Sequence, residues 1–120
     1  MKKILIIEDE TALLYALQSQ LGVEGFQTFV AADGEKALSL AFSEKPDLIV
    51  LDIVLPKVDG WTVLKKLKSS PQTKSIPVVI ISNLSDDASR ARGIELGAKD
   101  YLAKINYSIS DLVDKIKKLI

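Results

Sequence analysis

Five polar side chains follow short apolar runs, and together they could bind a metal ion and handle a phosphoryl group. Glu8 and Asp9 follow "KILII", Asp52 follows "LIVL", Ser82 ends "VVIIS" and Lys104 ends "DYLAK". A carboxylate next to a buried run is costly unless it is paired or binds a cation. Three such carboxylates brought together would repel one another, and one lysine would offset only one charge. This set of residues therefore needs a cation.

The residue types narrow the choice of cation. The chain contains no histidine and no cysteine, so the site would offer oxygen atoms, which favour Mg²⁺ or Mn²⁺. Mg²⁺ usually keeps some of its waters and shares a phosphate oxygen. Asp52 would then be the nucleophile that forms an acyl phosphate. Ser82 and Lys104 would surround the equatorial oxygens of the phosphoryl group during transfer.

Short β-branched runs alternate with helical patterns along the chain. Apolar spacing predicts five strands, at residues 3–7, 26–30, 47–52, 77–82 and 100–104. It predicts five helices, one after each strand: 11–22, ended by Gly22; one capped by Asp33; 60–69; one from Ser85 or Asp86 to near Gly97; and one opened by Ser108.

Strict alternation of strands and helices favours an α/β fold with a parallel sheet and right-handed crossovers. The third and fourth strands are apolar on both faces, as expected of strands covered by helices on both sides. In a sheet of order 2-1-3-4-5, ligands bind where the order reverses, outside the carboxyl ends of the first and third strands. All five polar residues lie at carboxyl ends of strands, so one edge of the sheet would gather them.

Composition limits the classes of function. The 120 residues fit one domain, and the formal net charge is zero, which gives no electrostatic reason to expect direct nucleic-acid or membrane binding. Without histidine or cysteine, the chain cannot use histidine catalysis, thiol chemistry or disulfides. Acids at positions 8–10 interrupt the first apolar run too early for a signal peptide. We therefore expect a cytoplasmic location.

Four segments, "IIEDE", "LIVLDIVLPKVDGW", "VVIISN" and "ELGAKDYLAK", resemble the receiver domains of bacterial two-component response regulators, in order and over essentially the whole chain. The resemblance implies one receiver domain over residues 1–120, with a flavodoxin-like (βα)5 fold of strand order 2-1-3-4-5. It implies a phosphorelay switch in which Asp52 receives phosphate from a phosphohistidine on a sensor histidine kinase or a histidine phosphotransfer protein. Such a protein is not an enzyme in the usual sense, because it catalyses only its own phosphorylation and dephosphorylation.

The resemblance also implies roles for individual residues. Phosphoryl contacts would come from Ser82 and Lys104, and Tyr101 would turn inward as Ser82 moves toward the phosphate. A downstream partner would read the face formed by the fourth helix, fifth strand and fifth helix. Mg²⁺ would be held by four residues: the side chains of Glu8, Asp9 and Asp52 and the backbone carbonyl of Val54.

Several positions depart from the family pattern. Ile105 stands where the family usually has a proline, often in a cis bond; a non-proline cis bond costs about 3–4 kcal/mol, so this sequence favours trans, with consequences for the reach of Lys104. Asn83 is larger than the small residue usual after the hydroxyl side chain. Val54 and Leu84 offer no polar group to orient water, which predicts a slowly hydrolysing phosphoryl group.

Other readings of the same residues remain open. Asp52 and Lys104 could form a purely structural ion pair, Ser82 could be a turn residue and Tyr101 an ordinary half-buried aromatic. The chain could be a pseudo-receiver, a protein–protein interaction module that takes no phosphate. A flavin- or nucleotide-binding protein of this fold would need a phosphate-binding loop after the first strand, but "EDETA" contains acids and no glycine there.

Overall fold

Five strands and five α-helices alternate along the chain in a computed structural model that describes residues 1–120. The strands are β1 (Lys3–Ile7), β2 (Gln27–Ala31), β3 (Leu48–Leu51), β4 (Val78–Ser82) and β5 (Asp100–Ala103). The helices are α1 (Thr11–Val23), α2 (Gly34–Glu44), α3 (Gly60–Ser69), α4 (Asp87–Glu95) and α5 (Ile109–Leu119), with a single 3₁₀ turn at Lys104–Asn106.

The sheet is parallel throughout and has the order β2-β1-β3-β4-β5, which confirms the predicted fold class and strand order. Ile7 at the end of β1 lies beside Leu51 at the end of β3, and Ser82 lies beside Ala103. Because parallel strands all point the same way, the residues that follow them meet at one edge of the sheet.

Two apolar layers cover the sheet. Alternate residues of β1 divide between them: Ile4 and Ile6 pack with α1 and α5, whereas Leu5 and Ile7 pack with α2 and α3. All four side chains are buried, and burying each contributes about 1.5–3 kcal/mol. None of the helices combines the length and apolarity that a bilayer-spanning segment needs.

Side-chain caps fix where four of the helices begin. Asp33, Asp59, Asp86 and Ser108 each accept a hydrogen bond from the backbone amide three residues later. The caps at Asp33 and Ser108 were predicted. For α4 the sequence left Ser85 and Asp86 open, and the structure shows that Asp86 is the cap. The exception is α1, where Glu10 precedes the helix but its side chain accepts no capping hydrogen bond.

Several predicted boundaries shift by one or two residues. The structure has β2 at Gln27–Ala31 instead of 26–30, β3 at Leu48–Leu51 instead of 47–52, and the start of β4 at Val78 instead of 77. The first helix continues past Gly22 to Val23, and Gly25 makes the left-handed turn with φ +92°. The fifth strand ends at Ala103, because Lys104 already belongs to the 3₁₀ turn.

Gly34, the first residue of α2, allows the loop after β3 to pack closely against the helix. A Cβ atom at this position would lie 2.0 Å from the carbonyl oxygen of Val58. We expect Gly34→Ala to lower the free energy of unfolding by about 2–4 kcal/mol, because backbone must move to relieve the clash. The matched variant is Gly22→Ala, where a Cβ meets nothing within 4 Å. Urea unfolding should show Gly22→Ala unchanged or up to about 1 kcal/mol more stable; equal losses in both variants would contradict the packing.

Candidate functional site

The carboxyl edge of the sheet brings Glu8, Asp9 and Asp52 together. One carboxylate oxygen from each lies within 4.8 Å of the others. Strand pairing places them, since the Asp52 amide donates to the carbonyl of Ile7 at 2.9 Å and so aligns the ends of β1 and β3. Glu8 and Asp52 are buried, whereas Asp9 is exposed. The cluster is therefore anchored in the sheet and open to solvent on one side.

Lys104 reaches across the edge to the two buried acids. Its Nζ atom lies 3.0 Å from Oε2 of Glu8 and 3.1 Å from Oδ2 of Asp52. The chain has no cis peptide bond, so the bond to Ile105 is trans. The trans bond does not prevent Lys104 from reaching the acids, since it contacts both from within the 3₁₀ turn after β5.

The charges of these groups do not balance. Burial, together with the nearby charge of Asp52, raises the pKa of Glu8 from 4.5 to about 7. Burial alone would lower the pKa of Lys104, but its hydrogen bond to Glu8 and the charge of Asp52 outweigh burial and raise that pKa. Three carboxylates lie beside one lysine, so the site has an excess of negative charge when all of them are ionised.

The donor atoms suit a hard divalent cation. The converging ligands are carboxylate oxygens, with no sulfur or imidazole in the chain, and oxygen-only sites favour Mg²⁺ or Mn²⁺. Val54 lies close by, since its amide donates to Oδ1 of Asp52 at 3.3 Å. The residues present therefore fit the ion that the sequence suggested.

Gly60 lets α3 begin directly against the backbone of Asp52. Its amide donates to the carbonyl of Ile53 at 2.8 Å, and a Cβ atom here would lie 2.5 Å from the carbonyl oxygen of Asp52. The sequence predicted Gly60 only as the first residue of the third helix. The contact holds the turn that carries Asp52.

Ser82 and Tyr101 are both joined to the backbone of Leu84. The buried Ser82 hydroxyl accepts a hydrogen bond from the Leu84 amide at 3.1 Å, and the Tyr101 hydroxyl donates to the Leu84 carbonyl. Ser82 thus makes the turn contact that a serine at a strand end often makes. Its hydroxyl also lies close to that of Tyr101: burial raises the pKa of Tyr101, and a hydrogen bond from Ser82 acts in the opposite direction.

Tyr101 is completely buried rather than half-buried. Its backbone carbonyl accepts from Nη1 of Arg90 at 2.7 Å. Gly93, the only buried residue of α4, allows the helix to lie on the tyrosine: a Cβ there would be 2.7 Å from Cδ1 of Ile80 and 2.9 Å from Cδ2 of Tyr101.

One charged residue at the site was not predicted. Oε2 of Glu10 lies 3.5 Å from Nζ of Lys104. In the sequence, Glu10 stands out only as one of the acids that interrupt the first apolar run. Its place as a third consecutive acid at the same strand end was the signal that could have found it.

Comparisons with known proteins agree with the fold. The family model described as the response regulator receiver domain matches residues 4–117. The alkaline phosphatase synthesis transcriptional regulatory protein PhoP of Bacillus subtilis is 43% identical over 103 residues, which is 86% of this chain and 42% of PhoP. The chain spans about half or less of the length of the first curated relatives that it matches.

Solved structures are similar over nearly the full chain. The receiver domain of the Francisella response regulator 1452 is 32% identical with a TM-score of 0.90, covering 99% of this chain and 96% of that one. The Mn²⁺-bound form of response regulator Rcp1 is 29% identical with a TM-score of 0.82, covering 99% of this chain and 91% of that one.

Proposed function

This chain belongs to the response regulator receiver domain family, and from that premise we propose that it is a phosphoacceptor switch of a two-component phosphorelay. Receiver domains are signalling switches rather than enzymes in the usual sense. The observation that carries the proposal is the position of Asp52, buried beside Glu8 and Asp9 and 3.1 Å from Lys104. We take residues 1–120 as one receiver domain.

The proposed reaction transfers a phosphoryl group to Asp52. A carboxylate oxygen of Asp52 attacks phosphorus, and the bond from phosphorus to the donor imidazole breaks with its electron pair left on nitrogen. The imidazole, protonated at its other nitrogen, leaves as a neutral group. Hydrolysis reverses the state of Asp52: water attacks phosphorus, inorganic phosphate leaves, and the carboxylate is restored.

Glu8, Asp9, Asp52 and the backbone carbonyl of Val54 would hold Mg²⁺ or Mn²⁺. Support comes from the convergence of the three carboxylates and from the Mn²⁺-bound relative Rcp1. When bound, the cation would neutralise the acids and the charge of an incoming phosphoryl group.

Lys104 and Ser82 would contact the phosphoryl oxygens. Lys104 is already positioned next to Asp52, and Ser82 ends β4 at the same edge of the sheet. Movement of Ser82 toward the phosphate would break its bond to the Leu84 amide, and Tyr101 holds the carbonyl of the same residue. We propose that this shared backbone carries the change to the face of α4, β5 and α5, where a downstream partner reads it.

The upstream partner in this proposal is a sensor histidine kinase or a histidine phosphotransfer protein. PhoP is a transcriptional regulatory protein, and this chain matches 42% of its length. Any binding of DNA by proteins of that kind therefore concerns the whole protein, of which the receiver domain is one part. For residues 1–120, the zero net charge continues to predict no direct binding to nucleic acid.

Phosphorylation by a small donor tests the proposal directly. The protein is incubated with acetyl phosphate and Mg²⁺, and intact mass is measured before and after. We expect a gain of one phosphate that a chelator prevents, and borohydride reduction should map it to the peptide containing Asp52. No gain in mass with metal and donor present would contradict the switch and favour an interaction module without phosphate.

The phosphoryl group on Asp52 is expected to persist for minutes or longer after the donor is removed. Val54 is exposed and Leu84 is half-buried, but neither can hydrogen-bond an attacking water. Mass measurements at intervals after desalting give the rate of loss. The matched variant Val54→Asn adds a group that can orient water, and we expect several-fold faster loss. Loss within seconds in the wild type would contradict this prediction.

A further inference from the structure

Glu10 is the acid that the proposed reaction does not use. It precedes α1, where a carboxylate could accept a hydrogen bond from the first amides of the helix, yet its side chain makes no such bond. The carboxylate lies instead 3.5 Å from Nζ of Lys104. The Glu10 side chain is 58% exposed and that of Lys104 is 11% exposed. Glu10 therefore lies on the solvent side of the lysine.

A groove of about 670 Å³ opens beside this pair, between α1, α5 and the loops that follow β4 and β5. Most of its lining is apolar, and Glu10 and Lys104 are its only charged residues. Lys104 is already paired with Glu8 and Asp52. An anion that approaches Asp52 past Lys104 therefore meets the unbalanced charge of Glu10.

The distance is short enough for that charge to matter. Glu10 and Asp52 both contact the same lysine nitrogen, so their carboxylate oxygens are at most about 7 Å apart. At that separation one unit charge changes the local concentration of a doubly charged anion several-fold in water, and added salt weakens the effect. The net charge of the whole chain is zero, so no long-range attraction compensates.

We propose that Glu10 is a specificity-determining residue for the phosphodonor. Its charge at the entrance disfavours small anionic donors such as acetyl phosphate. A phosphohistidine on a docked protein is disfavoured less, because contacts between the two proteins offset the repulsion. The inference rests on the proposed function, since it concerns the phosphorylation of Asp52.

The test compares Glu10→Gln with the wild type in acetyl phosphate at saturating Mg²⁺ and low salt. Removal of one negative charge is expected to raise the rate of phosphorylation about three- to ten-fold. The gain should fall below about two-fold at high salt, because screening removes the repulsion. Phosphoramidate, a donor of lower net charge, should show a smaller gain than acetyl phosphate.

Glu24→Gln is the matched control. Glu24 lies at the opposite end of α1, about 20 Å from Glu10 along the helix, and it also pairs with a lysine, Lys117, at 3.1 Å. Both variants lose one carboxylate that is itself largely exposed, 58% for Glu10 and 41% for Glu24, and ion pairs of exposed carboxylates contribute little to stability. Phosphorylation of Glu24→Gln should match the wild type.

Calorimetric titration with Mg²⁺ supplies a readout that does not depend on phosphorylation. Loss of a nearby negative charge should weaken Mg²⁺ binding by Glu10→Gln about two- to three-fold, although the variant is phosphorylated faster at saturation. A general loosening of the site would instead slow phosphorylation and weaken Mg²⁺ binding together.

The outcomes separate this inference from the proposed function. If the wild type gains phosphate but Glu10→Gln is no faster, or its gain is independent of salt, the role of Glu10 is overturned and the switch stands. If the wild type gains no phosphate with acetyl phosphate and Mg²⁺, both are overturned.

Discussion

Asp52→Asn is expected to gain no phosphate from acetyl phosphate and Mg²⁺ under conditions in which the wild type gains one. The amide that replaces the carboxylate is not a nucleophile, and no other acid takes its place between Glu8 and Lys104. Intact mass measures the result. Phosphate on the variant would show that another residue is the acceptor.

Asp47→Asn is the matched control for this loss. Asp47 and Asp52 flank β3 at its opposite ends, and Oδ2 of Asp47 accepts a hydrogen bond from the Lys3 amide at 2.8 Å, away from the acid cluster. The same chemical change at this position should leave phosphate uptake intact. Loss of uptake in both variants would indicate damage to the strand rather than loss of the acceptor.

Asp52→Asn should also change how stability depends on pH in the absence of divalent cations. Glu8 has a pKa of about 7 in the folded state and 4.5 as its reference value, so the folded protein binds the proton more tightly between these values. The free energy of unfolding of the wild type should therefore fall as pH rises from about 5 to 8, by about 1–3 kcal/mol from this group. Removing the Asp52 charge removes one cause of the raised pKa, so the fall should be smaller in the variant.

Lys104→Met is expected to lower the free energy of unfolding by about 2–4 kcal/mol at pH 8 without divalent cations. Lys104 bridges Glu8 and Asp52, whose side chains are 3% and 5% exposed, and methionine keeps the apolar stem but leaves both carboxylates without a positively charged partner. The lysine is fully charged at this pH, since its pKa is raised above 10.5. Urea unfolding followed by circular dichroism measures the loss.

The loss in Lys104→Met should shrink when the acids are neutralised in another way. Acidification to pH 5 protonates Glu8, and saturating Mg²⁺ would supply positive charge, so either condition should recover part of the stability. The matched control is Lys117→Met, which breaks an ion pair with Glu24 whose partners are 42% and 41% exposed. That exposed pair should contribute less than about 1 kcal/mol. Similar losses from both substitutions would contradict the conclusion that Lys104 stabilises the fold by pairing with two buried carboxylates.

The strand order and the proximity of the acids could be predicted from the sequence. They depend only on the spacing of apolar residues and on the position of each acid directly after a strand. A parallel sheet aligns the residues that follow β1 and β3, so Glu8 and Asp52 had to become neighbours once the alternation of strands and helices was recognised. Helix caps were equally local: Asp33 and Ser108 act on amides three residues away. Short-range chemistry of this kind is written directly in the sequence.

Contacts that depend on tertiary approach could not be predicted in the same way. The Glu10 side chain contacts Lys104 instead of the first amides of α1. This contact needs Lys104 to be brought close by the turn after β5, which is distant in sequence. The sequence predicted that α1 ends at Gly22, but the helix continues to Val23 and the left-handed residue is Gly25. The complete burial of Tyr101 depends on how closely α4 lies on the sheet. The sequence of a strand does not indicate how closely a helix will pack on it.

The contact between Gly93 and Tyr101 limits how this protein can be made more robust. Gly93 is the only buried residue of α4, and an added methyl group there would clash with its neighbours. Larger apolar residues at this position therefore cannot improve the packing of the helix on the sheet. Selection for greater rigidity must act on its outer surface or its caps. With glycine as its only buried residue, α4 places no fully buried side chain against the sheet, so few packed side chains oppose a shift of this helix.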